Sequence, residues 1–441
     1  MAPLGGPCRV EMPGGEWHDV NNGLTYTDRV QGACTATLLQ FYATKHASSA
    51  PIEHWRDTIL AGRISVNGQM VSDPQAPVPP NAILEFRRPG WAEPPAPAYL
   101  DVLWWDAHVV AVHKPSGLQV LPAGPVHERC TLTLLRRFHK QHAVELKGMP
   151  APVHRLGRGT SGVLICACSE AARSKLSRDF VDHGAANQGR LRKVYRTLVQ
   201  GLVDADQGNI DVPIGRMEYP GVRGGLYAAR PDSGPGAKPS RSHYTVLHRD
   251  AVAGTTLVDV EIFTGRPHQI RIHMAALGHP LVGDPLYAPG GLPLPLPSAA
   301  AQDETGGSAG ERRGGADTAA VAAAAEQQAQ GPVAAADGNG RGAGTCSGGS
   351  ALPQRPQGVV MPGDCGYLLH SRVLEFDHPI TGERIVATCL PPPELRLPGE
   401  GEHAARAGDA PPPLAAPSAP AVPADPQRSH LFAQMRRPVN Q

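Results

Sequence analysis

Two polar stretches of this 441-residue chain carry enough donors to do chemistry. The denser runs from Thr264 to His273 and includes Arg266, His268, Gln269, Ile270 and Arg271; Gly278 to Tyr287, with His279 and Asp284, follows it. So many guanidinium, imidazole and amide groups could not be buried without partners, so the segment must form a polar network or line a cleft. The second runs from Pro152 to Gly162 through His154, Arg155, Leu156, Gly157, Arg158, Gly159, Thr160 and Ser161. Its glycines let it aim side chains and backbone N–H groups at a ligand. Read literally, Gly157 to Gly162 is a G-x-G-x-x-G. A dinucleotide site would need a strand before that loop and a helix after it. Here Pro150 and Pro152 stand where the strand would end, and Val163, Leu164 and Ile165 favour a strand after the loop, so the cofactor reading is set aside.

The elements that must position these groups are legible around them. The apolar run Val163 to Ala167 is a buried strand carrying the His154 loop, and Glu170 to Phe180 reads as a helix. Val109 to Val112 is a strand ending at Lys114, Pro115, Ser116 and Gly117, a turn that should display Lys114 at its tip. Thr131 to His142 is a helix with a basic face. Gln188 to Lys193, with Arg192, is a basic loop leading into a strand, Val194 to Val199, whose alternation puts Tyr195, Thr197 and Val199 on one face. Gly366 to Phe376 alternates as a strand and turns at Gly382 into Ile385 to Leu390.

His154-Arg155-Leu156 followed by Thr160-Ser161-Gly162, Lys193-x-Tyr195 before Gly201, the Arg266 to His273 segment and the Gly366 to Leu390 hairpin together resemble the RluA-type RNA pseudouridine synthases. The resemblance covers roughly Leu38 to Pro393, outside a long insertion. It implies isomerisation of uridine to pseudouridine in structured RNA, ribosomal or transfer, without metal or organic cofactor. It places the family's catalytic aspartate at Gly157, where no side chain exists. It implies that Arg155 and Arg271 line the pocket, that Arg271 pairs with the aspartate, that Tyr195 stacks on the target base and that Ile270 packs in the pocket; His154, Thr160, Arg266, His268 and Gln269 are its other substrate-side positions. The missing side chain leaves two readings: a synthase using another group, or an RNA-binding homologue that recognises or remodels RNA.

Ahead of this, Thr37 to Tyr42 and Ile52 to Leu60 have helical apolar spacing, and Ile64 to Val66 runs as a strand into the Asn67-Gly68 turn. With Ser48 and Ser49 between the helices, this resembles an S4 RNA-binding module, with Lys45, Arg56 and Arg63 as phosphate contacts. The expected fold is therefore α+β: a pseudouridine synthase fold with a central mixed, largely antiparallel sheet, preceded by a small S4-like module. The expected division is a polar lead over 1–35, the S4-like module over 36–88, a Pro-rich linker over 89–98, the catalytic domain over 99–290, a disordered Ala/Gly-rich insertion over 291–358, its closing hairpin over 359–397 and a disordered tail over 398–441.

Composition bounds the rest. The formal net charge is +1, so no whole-chain basic footprint exists and any RNA surface must come from local clusters, with Lys114, Arg192 and Lys193 among the candidates. The 8 cysteines contain no C-x-x-C, and Cys166 and Cys168 sit in an apolar run, so no metal site is expected. No run of about 18 apolar residues occurs, so no membrane span is expected. Glu11, Glu16 and Asp19 do not suit a transit peptide, and an intracellular monomer, cytoplasmic or nuclear, is expected.

Overall fold

The strand that joins the two halves of the molecule comes late in the chain. In the computed structural model, which describes residues 4–32, 34–47, 49–181, 191–220, 222–230, 236–295 and 365–400, Leu369–Asp377 lies in the middle of the large sheet. It pairs parallel with Ser161–Ala167 and antiparallel with Leu191–Gln200. Outward from the first lie Val109–Lys114, Tyr99–Trp105 and Cys8–Glu11; outward from the second lie Thr255–Ile262, Ser242–Asp250 and Gln207–Ile210. Every other pairing is antiparallel, which gives the mixed, largely antiparallel sheet of an α+β fold.

Local chemistry explains the parallel junction. Gly162 has φ +113°, and a Cβ there would run into the Ser371 backbone, so only glycine lets the two strands close. Ser161–Ala167 is buried at every position, as expected of a central strand covered on both faces. The helices Thr131–Gln141 and Glu170–Val181 bury Leu134, Leu135, Phe138, Ala172 and Leu176. Helices Leu38–Lys45 and Ile52–Leu60 pack on a separate four-stranded sheet; Thr37 caps the first by accepting from Gln40 N while the Gln40 side chain accepts from Thr37 N. No described helix is long and apolar enough to cross a membrane.

Several expected boundaries move. Residues 1–35 are not merely a lead: Cys8–Glu11 pairs with Tyr99–Trp105, and Leu24–Arg29 pairs with Ile83–Arg88. Residues 89–98 are not a free linker. Glu93 is buried there, accepting from Asn21 Nδ2 and from the N–H groups of His127, Glu128 and Arg129, which outweigh burial and hold its carboxyl below the usual range. The expected insertion begins later than Gly291, because Leu292–Pro293 pairs with Tyr287–Ala288 and Leu294 N donates to Leu286 O. Most of that insertion, Ser48, Gln188 to Arg190 and the tail beyond Glu400 lie outside the described residues. The described residues through Leu397 form one compact unit.

Candidate active site

The left-handed conformation of His268 (φ 56°) turns the chain into the helix Gln269–Ala276, whose first seven residues are buried. The donors of this segment find partners, as their number required. Gln269 Oε1 accepts from Thr264 Oγ1 at 2.7 Å and from Arg266 N at 3.1 Å, while its amide donates to Arg241 O and Ser242 Oγ. His268 Nδ1 lies 2.8 Å from Tyr287 Oη, and His273 lies between Ser242 Oγ and Val212 O. Gln269 and His268 are thus framework groups.

Arg271 is buried and forks onto Asp284, with Nε and an Nη each 2.7 Å from a carboxylate oxygen. Asp284 also accepts from Leu286 N and Tyr287 N, so it fixes its turn and neutralises the guanidinium together. The resemblance pairs Arg271 with the family's aspartate, whose position Gly157 leaves without a side chain; the observed partner is Asp284. The Arg271 guanidinium carbon sits 4.3 Å from the Tyr367 ring centroid and 5.0 Å from that of Tyr287.

Tyr367 connects this helix to the His154 loop. Its Oη lies 3.3 Å from Thr160 Oγ1, and an added Cβ at Gly157 would lie 2.6 Å from Oη. A Cβ at Gly159 would come within 3.0 Å of the ring. Gly157 has no left-handed φ; the demand for glycine there is spatial. Leu156, Tyr195, Ile270, Tyr367 and Leu369 belong to one buried apolar cluster, so residues far apart in sequence do converge. Tyr195, which the resemblance stacks on the target base, is only 8% exposed, and burial pushes its phenol up to about 12, with a Ser371 hydrogen bond working the other way.

The remaining expected contacts divide sharply. Arg155 is exposed, two residues before the exposed Gly157. His154 instead stacks on Phe180 at 4.4 Å and accepts from Ile165 N through Nε2, so its imidazole is neutral, and burial lowers it to about 3. Lys114 is not displayed: it is fully buried, and its Nζ donates to Pro115 O at 2.9 Å, Leu118 O at 2.7 Å and Arg158 O at 3.3 Å. Burial lowers its pKa to about 7, yet three carbonyl acceptors match the three N–H bonds of an ammonium group. Arg192 pairs with Glu261 and Glu375 across the sheet, and Lys193 is buried 5.9 Å from the Phe180 centroid with its amine lowered to about 8 by burial. These three corrections share a cause: each cation lies within a strand, where neighbouring elements cover it, and for Lys114 and Arg192 turns or adjacent strands also supply its partners. Lys45 pairs with Asp28 at 2.8 Å, whereas Arg56 is exposed and Arg63 half-buried.

Two basic recesses were missed as structures although their residues were visible. One, of about 320 Å³, is lined by Arg216, Tyr227, Lys238 and Arg266; the other, of about 380 Å³, by Arg136, Arg137, His139 and Lys140 on the basic helix. His113, His370 and Cys389 bring three metal-ligating atoms within 4.8 Å, a cluster the cysteine spacing did not reveal. His370 already has partners at both ring nitrogens, Cys389 Sγ at 3.2 Å and Ser161 Oγ at 2.9 Å.

Two expected results follow from this geometry. Lys114→Met should leave Pro115 O and Leu118 O without their donor, each worth about 1–3 kcal/mol if unpaired, while Arg158 O keeps the Gly117 N–H, and should lower stability by about the cost of one such carbonyl, since water will recover some; urea unfolding measures it, and an unchanged midpoint would contradict the buried-anchor role. For pH, His154 and His268 are both lowered by burial to about 3, against about 6.5 when unfolded. Between those values the unfolded state binds more protons, so stability falls as pH is lowered from 6.5. Melting temperatures from pH 7.5 to 4.5 should decline accordingly, and a flat profile would show the imidazoles to be solvated.

A family model described as RNA pseudouridylate synthase matches residues 108–276. RNA pseudouridine synthase 5 of Arabidopsis thaliana is 37% identical over 406 residues, covering 88% of this chain and 97% of its own length. The protein of the same name in Oryza sativa subsp. japonica is 38% identical over 419 residues, covering 89% of this chain and 93% of its own. The dual-specificity RNA pseudouridine synthase RluA of Pasteurella multocida is 34% identical over 197 residues, covering 44% of this chain and 80% of its own.

Proposed function

The chain belongs to the RluA-like RNA pseudouridine synthases and is an isomerase of that class; from that premise we propose that it acts on structured RNA, ribosomal or transfer, through a site in which Gly157 stands at the position of the family's aspartate. The reaction opens the C1′–N1 bond of uridine, turns the uracil and closes C1′–C5; the C5 proton leaves and N1 gains one. Every atom is conserved, so no electron acceptor or group donor is required. The observation that carries the active reading is the exposed Gly157 loop, with Arg155 exposed two residues before it and Thr160 and Tyr367 packed against Gly157.

In this reading the target base leaves its stack to reach the loop, and phosphates on either side are held by cations. Arg266 with Lys238 and Arg216, and the basic helix with Arg136 and Lys140, are the recesses suited to that grip. Residues 36–88 act as an S4-like RNA-binding module, with Arg56 and Arg63 the cations best placed for phosphates. The test is a transcriptome-wide map of pseudouridine in cells with and without the gene. Loss of discrete sites on deletion, restored by the wild-type chain, is the expected result; an unchanged map would instead favour a chain that binds or remodels RNA.

A further inference from the structure

We infer that the Tyr367 hydroxyl serves where residue 157 has no side chain, donating a hydrogen bond to a carbonyl oxygen of the target uracil as its glycosidic bond opens. The inference rests on the active reading above and names the group that reading lacks.

Position is the first argument. A side chain at residue 157 would begin 2.6 Å from Tyr367 Oη, so this hydroxyl fills the space into which such a side chain would grow, at the base of the exposed loop. Spare bonding capacity is the second. A phenol offers one O–H and two lone pairs, while among the described residues its hydrogen bond to Thr160 Oγ1 is long at 3.3 Å against about 2.7–2.8 Å for an ordinary O–H···O contact. Rigidity is the third: the ring lies against Gly159 on one side and stacks with Arg271, itself locked by Asp284. A donor held this way needs no reorganisation when charge develops.

The same contacts limit the role. Asp284 already neutralises Arg271, so that guanidinium is committed to the framework. Burial raises the Tyr367 phenol more than Arg271 lowers it, which keeps the hydroxyl protonated near neutrality. It therefore donates rather than attacks. As C1′–N1 breaks, the bonding pair goes to the uracil ring and its charge spreads to the carbonyl oxygens, where the Tyr367 O–H stabilises it. After the ring turns, C5 bonds to C1′, the C5 proton passes to solvent and N1 takes one from solvent; Tyr367 ends as it began.

The experiment uses the full-length chain with Tyr367→Phe, which keeps the ring beside Gly159 and Arg271. Single-turnover isomerisation of an RNA found in the map should slow about 100-fold, the usual effect of losing one such donor, with RNA affinity and melting temperature nearly unchanged. Placing a trifluorotyrosine of lower pKa at 367 should pull the alkaline limb of the rate profile to lower pH, which a packing role would not do. Wild-type turnover by Tyr367→Phe overturns the inference. Should the wild-type chain isomerise no RNA, the fluorine resonance at 367 still decides: a shift on adding a uridine oligonucleotide, absent with an abasic one, supports nucleotide contact while the active reading fails, and no shift overturns the contact too.

Discussion

Gly157→Asp is expected to destabilise the protein and abolish isomerisation, although it places an aspartate at the position that the resemblance marks for one. The Cβ alone would lie 2.6 Å from Tyr367 Oη and 3.2 Å from Thr160 Oγ1. A flexible neighbour would swing away. Tyr367 cannot do so easily, because its ring is held by Gly159 and Arg271 and is only 5% exposed. Overpacking of this kind costs about 1–3 kcal/mol, before any cost of placing a carboxylate beside a guanidinium already neutralised by Asp284. Gly157→Ala isolates the steric part and should lose about the same stability. Denaturant midpoints and pseudouridine yield measure both variants. A gain in activity for Gly157→Asp would mean that Tyr367 yields readily and that the loop still accommodates the family's carboxylate.

Asp284→Asn should cost more, about 3–5 kcal/mol, because it leaves the buried Arg271 charge without its counterion. The amide keeps the shape of the side chain and part of its hydrogen bonding to Leu286 N and Tyr287 N, so the loss reports on charge. The Arg271 guanidinium would then look for other acceptors, and its stacking on Tyr367 and Tyr287 would loosen with it. Arg271→Met with Asp284→Leu, which removes both charges and fills the space, should recover much of the stability. A loss below about 1 kcal/mol for Asp284→Asn would show the pair to be solvated.

Local signals carried most of the architecture. The apolar run through Ile165, the helical apolar spacing from Ile52 to Leu60 and the alternation from Leu369 to Phe376 each specify an element through side chains close in sequence. The segment from Arg266 to His273 was legible as a polar network because its donors had to be satisfied somewhere. Partner identity was not legible. Lys114 stands at a strand end with the outward look of a displayed cation, and only the carbonyls of Leu118 and Arg158, folded back by two turns, bury it. Cys8–Glu11 is short and mostly exposed, so its pairing with Tyr99–Trp105 has almost no local signature. Tyr367 passed as one apolar position in an alternating strand, because its meeting with Gly157 depends on a register set by Gly162 and Ser371.

The central place of Leu369–Asp377 bears on how the chain is made. Ser161 and His370, neighbours across the parallel junction, are 209 residues apart. At about 5–20 residues per second, synthesis leaves roughly 10–40 s between their appearances. Throughout that interval the strands Ser161–Ala167 and Leu191–Gln200 lack the neighbour that later lies between them, and each presents an open row of backbone donors and acceptors. Lengthening the intervening segment changes the equilibrium little, since doubling a flexible loop adds only about 0.6 kcal/mol of closure cost. It does prolong the time during which nascent chains can pair edge to edge on a polysome, so the yield of folded protein should depend on elongation speed and chaperone supply far more than its final stability does.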